Sequence, residues 1–235
     1  MDELTRTLQP FEKNIGVTFT DKAILLRAFT HRSFINEKKG RGLAHNERLE
    51  FLGDAVLEII VTDYLFYTYP KEDEGTLTAY RAAMVNTDSL SKHAKLLELE
   101  KYLFLSKGER MDTNKGRDHI LANTFEAIVG AVYLDQGIET ATKFVGDTLF
   151  EYMKEIIEDK LFKDSKSYFQ ELAQERRKNT PHYELVESVG PDHDKEFVMG
   201  AFLDEEMVAT GTGQSKQKAE SEAARAALEK LNWLD

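Results

Sequence analysis

A change of period near residue 160 constrains the fold of this chain more than any other feature. Up to about Asp159, apolar residues recur at intervals of three and four, in segments 23–34, 49–66, 90–105, 120–134 and 140–157. That spacing gives a helix one apolar face. Thr20-Asp21 and Asn86-Thr87-Asp88 supply capping oxygens at two starts, and Pro70 and Gly137 mark stops. After Lys160 the pattern becomes a helix at Ser165–Arg177, strand candidates at 183–189, 195–203 and 206–211, and a last helix at about 215–231. Gly190-Pro191-Asp192 and Asp204-Glu205 punctuate the strands as turns. The expected architecture is an all-α domain over residues 1–158, followed by an α+β domain of order α-β-β-β-α over 162–235. A three-stranded antiparallel sheet covered on one face by two helices gives the second domain its core. The stretch between them, 155–164, is short and charged with no Gly or Pro, which predicts a modest hinge.

With 235 residues the chain can bury two cores, and 41% hydrophobic against 31% charged residues excludes wholesale disorder. No run reaches the roughly 18 apolar residues of a membrane span, and the opening MDELTRTLQP does not resemble a signal peptide. No membrane association is expected. Cysteine is absent, which removes thiol nucleophiles, Cys-ligated zinc and any disulfide-linked partner, and suits a cytoplasmic protein. The net charge of -11 divides as 21 Lys+Arg against 27 Asp+Glu over residues 1–161 and 10 against 15 over 162–235. Neither part is basic overall. Binding nevertheless depends on where charges sit, and Lys216, Lys218 and Arg225, with Lys195, form a candidate positive stripe.

The most informative segment is Asn46-Glu47-Arg48-Leu49-Glu50-Phe51-Leu52-Gly53-Asp54-Ala55-Val56-Leu57. On a helix, Glu47, Glu50 and Asp54 share one side, beside an apolar face of Leu49, Leu52, Val56 and Ile59. Asn123 and Glu126 are likewise three apart on a second apolar helix. Carboxylates beside a core face are costly unless paired, hydrogen-bonded or bound to metal. Brought together, Glu50, Asp54, Glu126 and the Asn123 carbonyl make a hard oxygen site for Mg²⁺ or Mn²⁺, able to activate water against a phosphate. The same spacing equally describes solvated helix faces, or acids paired with Arg48, Arg81 or Lys95. Spacing alone leaves both readings open.

The run 46–57 resembles the signature helix of bacterial ribonuclease III, the endonuclease that cuts double-stranded RNA. The resemblance extends to Phe29-Thr30-His31-Arg32-Ser33, Asp73-Glu74-Gly75, residues 121–134 and 164–231. It implies a nuclease domain followed by a double-stranded-RNA-binding domain, working as a homodimer on duplex RNA. By the resemblance Glu50, Asp54 and Glu126 bind metal, with Glu126 the most critical, and Glu47 and Glu74 line the cleavage centre. Phe51 matches a residue at the two-fold subunit interface. Each subunit cuts one strand, leaving 5'-phosphate and 3'-hydroxyl ends with short 3' overhangs, in processing of structured RNAs such as ribosomal precursors. A protein two-fold suits the pseudo-dyad of a duplex.

Asn123 departs from the family, which usually has Asp there. An Asn carbonyl ligates Mg²⁺, but one negative charge is lost. The expectation is an active enzyme that needs more Mg²⁺, the alternative a catalytically weakened RNA-binding protein. In the second domain Gln170 and Glu171, the Gly190-Pro191-Asp192-His193 loop with Lys195, and Gly211-Thr212-Gly213-Gln214-Ser215-Lys216 resemble the family's duplex-binding elements. Gln170 and His193 are then expected at the 2'-hydroxyls of minor grooves, and Lys216 and Lys218 at phosphates. A Gln217 stands where a second adjacent lysine is common. His31 is given no catalytic role.

Overall fold

The structure is a computed structural model that describes residues 5–37, 42–111, 116–158, 165–190 and 195–233. Backbone contacts divide the chain into two compact units, Met1–Phe162 and Lys163–Asp235.

The first unit is helical: α1 (Gln9–Ile15), α2 (Lys22–Ala28), α3 (Arg32–Glu37), α4 (Glu47–Thr68), α5 (Glu74–Val85), α6 (Thr87–Leu96), α7 (Lys107–Met111), α8 (Gly116–Gln136), α9 (Ile138–Val145) and α10 (Tyr152–Glu158). Its centre is the pair α4 and α8. Leu49, Val56, Leu57, Ile60 and Val61 of α4 are buried, as are Leu121, Phe125, Ile128, Val129 and Val132 of α8. Side-chain oxygens cap α2, α5 and α6: Asp21 accepts from the Ala23 N–H, Asp73 from Thr76, and Asn86 from Ser89.

Three long helices expected from periodicity are interrupted. Segment 23–34 breaks at Phe29–His31, where the Thr30 hydroxyl donates to the Leu26 carbonyl and the backbone forms a parallel bridge with Phe104. Segment 90–105 stops at Leu96, and a single 3₁₀ turn, Leu99–Tyr102, leads into that bridge. Segment 140–157 contains a wide π turn at Gly146–Phe150, where Phe150 leaves the helical line to stack on Tyr64 at 3.7 Å. Ile59, expected in the core, is 59% exposed. The buried face of α4 runs instead through Leu57, Ile60 and Val61, because the close approach of α8 turns that side inward.

The second unit is α11 (Ser165–Arg177), β1 (His182–Val189), β2 (Glu196–Leu203), β3 (Glu206–Gly213) and α12 (Lys216–Lys230). The strands pair antiparallel in the order β1-β2-β3. Asp204 adopts a left-handed φ of 51° in the tight β2–β3 turn. Phe169, Leu172, Ala201, Leu203, Val208, Ala223, Ala224, Ala227, Leu228 and Trp233 close the core under one face of the sheet.

Candidate active site

Two glycines bring the acids together. A Cβ on Gly53 would lie 1.8 Å from the Glu126 carbonyl oxygen, and one on Gly130 would lie 2.4 Å from that of Leu49. No larger residue fits either place, so α4 and α8 meet backbone to backbone. The approach sets Glu50 and Asp54, which flank Gly53, against Glu126. Sequence reasoning left both glycines without a role. A lone Gly in a long apolar helix was the available signal, since it costs about 1 kcal/mol against Ala unless packing needs it.

The electrostatics report the convergence directly. Burial, then the charges of Asp54 and Glu50, push the Glu126 carboxyl up to about 8. Glu50 is raised by burial, by Glu47 and by Asp54, while a hydrogen bond from the Asn123 side chain pulls it down. The charges acting on these two groups are all carboxylates. Glu47, Glu50, Asp54, Asn123 and Glu126 are therefore one neighbourhood. Glu74 sits exposed at the start of α5 and is not among the charges that act on Glu50 or Glu126.

The donor set suits a hard divalent cation: it is all oxygen, and its uncompensated negative charges are the kind a cation relieves. Among the described residues, no three His, Asp or Glu side chains are already gathered at ligating geometry. Asn123 differs from expectation in one respect. Its side chain lies close enough to Glu50 to hold that carboxyl down. An Asp there would add a like charge instead.

Phe51 points away from this core at 82% exposed, and Ile59 and Phe66 of the same helix are also open. In the second unit Gln170, Glu171, Lys216 and Lys218 are exposed and Lys195 is half-buried. His193 and the rest of 191–194 lie outside the described residues. Ser215 caps α12, its hydroxyl accepting from the Lys218 N–H at 3.2 Å, which fixes the turn carrying both lysines. Arg225 does not join the positive stripe. It is bound by Glu222 at 2.9 Å and Glu229 at 2.5 Å on its own helix. Arg176 and Arg177 lie over the Trp233 ring at 5.6 and 5.8 Å.

The sequence matches two family patterns, one described as Ribonuclease-III-like over residues 21–153 and one as the double-stranded RNA binding motif over 165–231. Curated relatives include a Ribonuclease 3 of Nitratiruptor sp., 42% identical with 96% of this chain and 97% of that protein covered. Another, from Carboxydothermus hydrogenoformans, is 45% identical with 94% of each covered. Among solved structures, the nuclease domain of ribonuclease III from Campylobacter jejuni superposes with a TM-score of 0.54 at 39% identity, over 60% of this chain and 97% of that one. Fold, acid neighbourhood and full-length likeness agree: the chain belongs to the ribonuclease III family.

Proposed function

We propose that this chain is a metal-dependent endonuclease that cuts double-stranded RNA by phosphodiester hydrolysis. The observation that carries the reading is the meeting of Glu50, Asp54 and Glu126 across the Gly53–Gly130 contact, in a chain that also bears a duplex-RNA-binding motif. Mg²⁺ is the proposed cofactor, with Mn²⁺ able to replace it, and Glu50, Asp54, Glu126 and the Asn123 carbonyl would hold it. Such an ion polarises a phosphate oxygen and lowers the pKa of bound water. The protein's own part is positioning. The backbone contact sets the spacing of the acids, the Asn123 side chain holds down the Glu50 carboxyl, and Glu47 and Glu74 line the approach.

The exposed Phe51, Ile59 and Phe66 leave α4 an apolar strip suited to a second subunit, in keeping with a homodimer in which each subunit cuts one strand. The proposed products carry 5'-phosphates and 3'-hydroxyls with short 3' overhangs, from structured cytoplasmic RNAs such as ribosomal precursors. Gln170, Glu171, His193, Lys195, Lys216 and Lys218 hold the duplex across successive grooves.

The test is cleavage of a labelled, perfectly paired RNA duplex in Mg²⁺, with EDTA and Glu126→Gln as controls. Staggered cuts lost in both controls are the expected result. A duplex that is bound and left intact would favour the weakened RNA-binding reading.

A further inference from the structure

The segment Phe29-Thr30-His31-Arg32-Ser33 is built against the start of α4 by its backbone. The Asn46 N–H donates to the Thr30 carbonyl at 2.9 Å, and its side-chain amide donates to Ala28 at 3.2 Å. Arg27 Nε donates to the His45 carbonyl at 2.9 Å. The Thr30–Phe104 bridge and the Ser106 N–H, which donates to Ser33 Oγ at 3.1 Å, brace the other side. His31 is spent inside this brace, its Nδ1 lying 2.8 Å from Ser33 Oγ. The side chain left over is Arg32. Its Nη1 stands 3.5 Å from Glu47 Oε1, at the edge of the acid neighbourhood.

That pair has the properties of a reserve rather than a strut. It is a single contact, not a two-pronged one, and its side chains are 68% and 47% exposed. Exposed pairs of this kind add little to stability and break readily. Glu47 also has a second partner in waiting. His45 Nδ1 lies 3.7 Å from Glu47 Oε2 and is buried with no hydrogen-bond partner. A strand of RNA brought to this centre meets carboxylates that repel its phosphates, and a guanidinium is the side chain best shaped to bind a phosphate in two-pronged fashion.

We propose that Arg32 is a phosphate-binding residue for the RNA strand at the cleavage centre, held on Glu47 until the duplex arrives. On binding, Arg32 exchanges the Glu47 carboxylate for a phosphate, and Glu47 closes on His45. This assignment rests on the endonuclease reading above and adds to it the group that offsets the repulsion between acids and substrate.

The experiment measures affinity for a labelled RNA duplex across a salt series, with the full chain carrying Glu126→Gln in Mg²⁺ so that the duplex stays intact. Adding Arg32→Ala is expected to weaken binding about five- to tenfold at 0.15 M salt and to reduce the salt slope by about one. Arg32→Lys restores the slope but only part of the affinity. Glu47→Gln, which releases Arg32, tightens binding, and that gain shrinks several-fold when Arg32→Ala is also present. Unchanged affinity and slope in Arg32→Ala would overturn the assignment, as would effects of Arg32→Ala and Glu47→Gln that simply multiply. In either case cleavage by the unmodified chain shows that the endonuclease reading stands. A chain that neither binds nor cuts the duplex refutes both. Arg32 is largely exposed, so unfolding temperatures within about 2 °C of the parent are expected.

Discussion

Gly53→Ala adds one methyl group at the place where α4 and α8 touch. Its Cβ would sit 1.8 Å from the Glu126 carbonyl oxygen, where ordinary contact begins at 3.4 Å. The helices must separate or slide by about 1.6 Å, the difference between those values. The clash is with backbone, so no side-chain rotation relieves it. Overpacking a core costs about 1–3 kcal/mol and occasionally more, and a fixed backbone clash belongs at the top of that range. Replacing Gly by Ala in a helix returns about 1 kcal/mol. The net loss is about 2 kcal/mol, which lowers the unfolding temperature of the helical unit by about 4–8 °C. Activity should suffer more than stability. Glu50 and Asp54 move relative to Glu126, and a displacement of about 1 Å at a reacting centre costs on the order of a hundredfold in rate. Thermal unfolding by circular dichroism, and single-turnover cleavage of duplex RNA well below the transition, give the two readouts. Gly130→Ala should behave alike, its Cβ being 2.4 Å from the Leu49 carbonyl oxygen. Gly108→Ala, where a Cβ meets nothing within 4 Å, is the neutral control. A Gly53→Ala protein with parental stability and parental rate would refute the reasoning outright.

Two further outcomes follow from the same geometry. Asn123→Asp restores a negative charge beside Glu50, and a Mg²⁺ titration of cleavage should show the half-maximal concentration falling about tenfold; coincident curves would show that residue 123 does not tune the metal. His93 is buried, its Nδ1 2.8 Å from the Ser89 carbonyl and its ring on the edge of Tyr152. Burial holds its pKa below 6.5, with Lys92 acting in the same direction. The unfolded chain therefore binds more protons than the folded one as pH falls through 6.5, so this stabilising contribution is full above that value and fades below it. The raised Glu126 and Glu50 carboxyls act alike on parent and variant, so from pH 7.5 to 5 the denaturant midpoint of the parent should fall relative to that of His93→Gln, and parallel curves would exclude His93 as the source.

Much of the fold was legible because apolar period and turn chemistry agree. The helix Ser165–Arg177 and the strand–turn–strand around Asp204 occur where alternation and turn residues place them. The breaks at Phe29–His31 and Gly146–Phe150 were not legible. Their residues keep helical spacing, and what interrupts them is tertiary: the bridge to Phe104 in one case, the stack on Tyr64 in the other. The acids Glu50, Asp54 and Glu126 stood out as charges beside an apolar face. What joins them did not, because spacing along one helix carries no information about which turn of another it meets. Arg225 shows the converse failure. It lies near Lys216 and Lys218 in sequence, yet Glu222 and Glu229, three residues before it and four after, already hold it.

The second unit repeats the device of the first. A Cβ on Gly211 would lie 2.1 Å from the Ala223 nitrogen, and one on Gly213 would lie 2.5 Å from that of Ala219, so α12 rests directly on the β3 backbone. In both units the position of the charged groups is set by main-chain contact and not by the volume of intervening side chains. Volume-conserving exchanges such as Leu for Met or Ile elsewhere in each core are thereby better tolerated than any substitution at the glycine contacts. Inherited variation should then be purged most strictly at Gly53, Gly130, Gly211 and Gly213. A genetic screen for lost function would recover residues that have no functional group at all.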